Sequence, residues 1–127
     1  MIMRTVFVLF AFLCLSTAAS FGQIATETEN ERIERITKDE FKKNLESEEY
    51  IVFDVRTVEE YQAGHIKNAK SLNVNGKAFE ATLEQLPKNY KYMIYCQSGG
   101  RSAKALQMMK DAGFIHVLEL EGGYSKW

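Results

Sequence analysis

Short apolar runs alternate with amphipathic stretches from about residue 36 to the end of the chain, and their spacing predicts alternating helices and strands. Thr37-x-x-Glu40 has the form of a capping box, in which a threonine hydroxyl and a glutamate carboxylate each take an N–H that the first helical turn leaves without a partner. Ile36 precedes the cap and Phe41 follows it by four residues, which suits a hydrophobic staple. Phe41 and Leu45 share a face, so a helix is expected over 38–45. Tyr50 to Val55 is a short run of aromatic and β-branched residues, the composition of a strand buried on both faces. Thr57-x-x-Glu60 is a second capping box, opening a short helix that Gly64 is expected to close from a left-handed conformation.

Ala69 to Val74 predicts another strand. Ala78 to Leu86 carries Phe79, Leu83 and Leu86 on one stripe before Pro87 stops the helix. Tyr92 to Tyr95 is a buried strand that runs directly into Cys96. Over Ser102 to Ala112, Ala105, Leu106, Met109 and Ala112 are expected to face inward, with Lys104, Gln107 and Lys110 in water and the two methionines filling core. Gly113 supplies the stop, Ile115 to Leu120 a last strand, and Glu121-Gly122-Gly123 leads to Trp127. Strands alternating with helices imply parallel βαβ units in an α/β sandwich.

The N-terminal segment has a different character. Arg4 gives a basic start, Val6 to Leu15 is unbroken apolar, and Ser16 to Gly22 is mostly small, which is the pattern of a signal peptide over 1–22. Cleavage after Ala19, Ser20 or Gly22 fits. The apolar stretch falls short of the roughly 20 residues of a spanning helix, so no stable membrane insertion is expected after cleavage; an uncleaved anchor is the alternative. Ile24 to Arg35 is charged and thinly apolar and reads as a flexible leader, taken as 23–32, ahead of a domain over 33–127. An exported protein, periplasmic or secreted, is the expectation. Loss of Arg4 takes the 16 Lys and Arg to 15 against 17 Asp and Glu, a net of −2. That surface offers no electrostatic footprint for nucleic acid. Loss of Cys14 leaves Cys96 as the only cysteine, without a partner in the chain for a disulfide.

The surroundings of that cysteine carry the chemistry. Tyr95-Cys96-Gln97-Ser98-Gly99-Gly100-Arg101-Ser102 joins a buried strand to an amphipathic helix, at the carboxyl end of a strand where open parallel sheets bind ligands. Gly99 and Gly100 permit positive φ, so that backbone N–H groups turn inward as an anion nest. The helix start adds unpartnered N–H groups and its positive dipole end, and Arg101 adds a cation expected to face solvent. Such a cradle favours thiolate over thiol, and the thiolate is the nucleophile. It also suits a small sulfur-containing anion. Attack on that sulfur would leave a persulfide, and a second nucleophile would remove the outer sulfur; neither a metal nor an organic cofactor is required.

The chain resembles the rhodanese family. The six residues Cys96 to Arg101 match the family's active loop. Asp54-Val55-Arg56, Glu60-Tyr61, Gly64-His65-Ile66, Ala69 and Leu72-Asn73-Val74 follow a second family signature, and Glu121-Gly122-Gly123 with Trp127 a third, together spanning about 33–127. The resemblance implies a central parallel five-stranded sheet flanked by helices on both faces. It implies sulfur transfer from a donor such as thiosulfate to cyanide, a thiol or a protein acceptor, through a persulfide on Cys96. Gln97, Ser98, Gly99, Gly100 and Arg101 would form the binding loop, and Ser102 would cap the helix or donate to the sulfur. Asp54 and Arg56 read as a structural pair and His65 as an anchoring residue, with a role as a base the alternative. His116 reads as a surface or satisfied histidine. Gln97 stands where many thiosulfate-using members carry a basic residue.

Two rival readings remain at this stage. Cysteine phosphatases and arsenate reductases also pair Cys with Arg, but they place five residues between the two to wrap a tetrahedral oxyanion, and here there are four. The other is a non-catalytic or sulfur-relay binding module of the same fold.

Overall fold

The structure, a computed structural model, describes residues 30–127. The signal peptide expected over 1–22 and most of the leader lie outside the described residues. Five strands form one sheet: β1 (Arg32–Ile36), β2 (Tyr50–Asp54), β3 (Lys70–Ser71), β4 (Lys91–Tyr95) and β5 (His116–Leu120). Their spatial order is β1-β5-β4-β2-β3 and every pairing is parallel. Between them run α1 (Lys38–Glu46), α2 (Val58–Ala63), α3 (Phe79–Gln85) and α4 (Gly100–Asp111), and a 3₁₀ turn (Tyr124–Lys126) ends the chain.

The expected α/β sheet with helices on both faces is present. One face packs Phe53, Val55, Tyr92 and Ile94 against Phe79, Leu83, Ala105 and Met109 of α3 and α4. The other packs Val52, Met93, Tyr95 and Leu118 against Phe41 of α1, Ile66 and the C-terminal tail. Each such large side chain, fully buried, contributes about 1.5–3 kcal/mol. β4 is central and buried from Tyr92 to Cys96, so its carboxyl end is the best-anchored loop origin in the sheet.

Several expectations are corrected. Arg32 to Arg35, read as leader, is the body of β1. Charge at three of its five residues, Arg32, Glu34 and Arg35, disguised an edge strand that pairs with β5 through Ile33↔Val117 and Ile36↔Leu120. Ala69 to Val74 shrinks to two residues of regular ladder, although Leu72 and Val74 still donate backbone N–H groups to Asp54 and Val55. Thr57 and Glu60 form the full reciprocal capping box. At Thr37 only the hydroxyl caps, because the Glu40 carboxylate turns to Arg32. Gly64 closes α2 at a positive φ of +155° with ψ of 140°, which suits glycine but is not the left-handed helical turn expected; a Cβ there would sit 2.8 Å from the Tyr124 hydroxyl. Ala112 is exposed, since α4 ends at Asp111 before that position can turn inward.

Candidate active site

Cys96 leaves the sheet at the end of β4, and the chain turns at Gly99, whose φ of +107° directs its N–H onto Cys96 Sγ at 3.1 Å. The expectation of positive φ at Gly100 is corrected. Only Gly99 has it, because α4 begins at Gly100, two residues earlier than the amphipathic pattern indicated. Ser102 therefore sits in the first helical turn, with its hydroxyl 3.3 Å from Sγ. The sulfur is almost wholly enclosed, Cys96 being 1% exposed. Burial alone pushes the thiol up, but hydrogen bonds from the Ser102 hydroxyl and from the amides of Ser102, Gly99 and Ser98 outweigh it. Cys96 is held below the ordinary thiol range.

The loop's outer edge is held by the C-terminal turn. Tyr124 N–H donates to Cys96 C=O at 2.8 Å and Ser125 N–H to Gln97 C=O at 2.9 Å. This approach requires glycine at 123: φ is +63°, and a Cβ would lie 2.5 Å from the Cys96 carbonyl oxygen and 2.6 Å from the Gln97 carbonyl carbon. The Gly122-Gly123 motif thus acts on the loop across space.

Asp54 and Arg56 are both buried, at 0% and 2% exposure. Arg56 donates to both carboxylate oxygens, at 2.6–3.1 Å, to Gly64 C=O at 2.7 Å and to the Gln97 side-chain oxygen at 3.0 Å. The Tyr95 hydroxyl adds a bond to Asp54 at 2.8 Å and itself accepts from Ile66 N–H; burial pushes its phenol well above the ordinary value. Gln97 is thereby oriented from the end of β2.

Arg101, expected to face solvent, is instead paired at the loop's rim. Its guanidinium makes two bonds to Glu60, at 2.6 and 3.0 Å, and is half-buried. The Arg101 guanidinium, aided by the Thr57 N–H, holds the Glu60 carboxyl at about 2. His65 is exposed, stacks on Tyr61 with ring centroids 3.8 Å apart, and places Nδ1 2.9 Å from the Tyr61 carbonyl at the end of α2. His116 meets the Tyr50 hydroxyl through Nε2 at 3.1 Å.

Sequence reasoning missed the inner side of the loop. Glu119, buried at 1% exposure on β5, lies with Oε1 2.5 Å from the Ser102 hydroxyl oxygen. Arg35 of β1 closes on that carboxylate at 2.6 and 2.9 Å and also donates to Gly99 C=O at 3.0 Å. A glutamate between Leu118 and Leu120, inside the buried part of β5, was the available signal, because a charge inside a buried strand needs a partner. A separate surface cleft of about 610 Å³ between α3 and α4, lined by Leu83, Lys88 and Met108 among others, takes no residue from the loop.

Fold and site together define an α/β protein built around an enclosed, acidified cysteine in an amide-lined loop. The sequence profile of the Rhodanese-like domain matches residues 37–127. Thiosulfate sulfurtransferase 16, chloroplastic, of Arabidopsis thaliana is 34% identical over 58% of this chain and 70% of its own length. A sulfurtransferase of Allochromatium vinosum is 32% identical over 65% and 75%. The solved structure of a human single-domain sulfurtransferase superposes with a TM-score of 0.62 at 26% identity, covering 73% of this chain and 93% of that one. Some relatives are much longer: of the matched tRNA uridine(34) hydroxylases this chain spans only 29–30%. The chain belongs to the rhodanese-like domain family.

Proposed function

We propose that the protein is a sulfurtransferase that carries sulfane sulfur on Cys96. The observation that supports this most is the enclosure of Sγ beneath Gly99 N–H and Ser102 in a loop with four residues between Cys96 and Arg101. Such a loop suits one added sulfur atom better than a tetrahedral phosphate. With thiosulfate as donor, the thiolate attacks the outer sulfur, the donor S–S bond breaks, and sulfite leaves with the bonding pair. The charge of the resulting persulfide is met by the loop amides. Cyanide, a small thiol or a protein thiol then attacks the outer sulfur, and the Cys96 thiolate departs. Ping-pong kinetics follow from this scheme.

Intact mass tests it. Thiosulfate should add about 32 Da, the mass of one sulfur; cyanide should reverse the gain and Cys96→Ser abolish it, as a covalent intermediate requires. An unchanged mass with thiosulfate and several other sulfane donors would overturn the reading. Turnover of a small aryl phosphate would favour the phosphatase alternative instead. We also propose export through cleavage of residues 1–22, checked by the N-terminal sequence of protein recovered outside the cytoplasm.

A further inference from the structure

Ser102 has one hydroxyl proton and two claimants for it. Glu119 Oε1 is 2.5 Å from the hydroxyl oxygen and Cys96 Sγ is 3.3 Å away. While the sulfur is a thiol, all three groups are satisfied in a chain: S–H donates to Ser102 Oγ, and O–H donates to Glu119. Once the sulfur is anionic it can only accept, so Ser102 must turn its O–H from Glu119 to Sγ. Glu119 then keeps its two bonds from Arg35 and loses the one from Ser102.

We propose that Glu119 is a positioning residue for the nucleophile, acting through Ser102 by competing with Cys96 for the hydroxyl proton. The competitor is built in: its carboxylate is 1% exposed and anchored by Arg35 from β1, whose other bond holds the Gly99 carbonyl and so the same loop. The arrangement opposes the loop amides and keeps Cys96 from becoming too acidic. That matters because a thiolate loses nucleophilicity as its thiol acidifies, and the best attacking thiol titrates near ambient pH. In the persulfide the inner sulfur no longer carries the charge, and the hydroxyl returns to Glu119. The other charges bearing on this cluster are Arg101 from α4, with Glu60 and Arg56 beyond it, and Glu121 past the end of β5.

The inference concerns the cysteine assigned to sulfur transfer, but its readout stands apart, because alkylation reports sulfur ionisation even if no donor ever loads the protein. The test is the pH midpoint of iodoacetamide alkylation, followed on the Cys96 peptide. Glu119→Gln should lower it by about one pH unit, or about tenfold more thiolate well below the midpoint. Glu119→Asp, which keeps the charge beside Arg35 but draws it back from Ser102, should move it the same way by less. In a Ser102→Ala background the Glu119→Gln shift should fall to under half. An unchanged or raised midpoint in the Glu119 variants would overturn the proposal. So would a full-sized shift without the hydroxyl, which would make the charge act through space. If Glu119→Gln does not fold, Glu119→Asp, with and without Ser102→Ala, decides the question.

Discussion

Arg56 and Arg101 both reach the rim of the cysteine loop and both end on carboxylates, yet their surroundings differ. Arg56 is shut off from water, its donors are committed to Asp54, Gly64 and Gln97, and its face lies 4.4 Å from the centre of the Tyr124 ring. Arg101 spends its bonds on one carboxylate, and both partners retain about a third of their exposure. A buried guanidinium without its counter-charge is costly, whereas water replaces a lost partner at the surface. Burial therefore makes one arginine a fixture of the scaffold and leaves the other held by a partner that water can replace.

The largest test of that contrast removes the buried counter-charge. Asp54→Ala leaves Arg56 unpaired and Tyr95 without its acceptor, and should cost about 3–5 kcal/mol in denaturant unfolding, whereas Arg101→Ala should cost under about 1 kcal/mol. Similar losses in both would erase the distinction. Gly123→Ala comes next. Its Cβ meets the backbone of Cys96 and Gln97 in a conformation that only glycine adopts readily, for a loss of about 2–4 kcal/mol from strain and overpacking. Because the clash falls on the loop, Cys96 alkylation should change its rate even in the variant population that stays folded.

The smallest stability effect belongs to Glu60→Gln, under about 1 kcal/mol for a pair this exposed. Its functional consequence is expected to be larger. With Arg101 released, the Michaelis constant for an anionic donor should fall about three- to tenfold, while an uncharged donor is unaffected. A Michaelis constant that rises would mean that Glu60 positions Arg101 for the donor and does not compete with it. The pH dependence has a definite sign. Glu60 titrates at about 2 in the folded protein against an ordinary 4.5, so its contribution is complete above 4.5 and disappears as pH falls toward 2. Glu60→Gln should flatten that part of the stability profile, measured by thermal unfolding between pH 5 and about 2.

Much of this was legible from local pattern. Apolar runs and stripes located four of the five strands and three of the four helices among the described residues, and the capping pattern Thr57-x-x-Glu60 located α2, because burial and capping are both set by residues near in sequence. The loop length, Cys96 and the glycine turn were visible because they lie in one contiguous segment, Cys96 to Arg101. β1 was hidden because Arg32, Glu34 and Arg35 read as solvated chain until β5 offers them an edge. Gly100 was misread because two adjacent glycines look alike until the helix start separates them.

The sequence by itself determined the succession of elements after β1 and the place of Cys96 at the end of a buried strand, since both follow from short-range chemistry. The pairing of the charges was decided only in three dimensions. Glu60 lies 41 residues from Arg101, Glu119 lies 17 from Ser102, and Arg35 lies 84 from Glu119. Strand order brings these side chains together, and no periodicity along the chain encodes which acid will meet which base. The physical reason is that a carboxylate inside a folded domain is stabilised by whatever donor the packing places beside it.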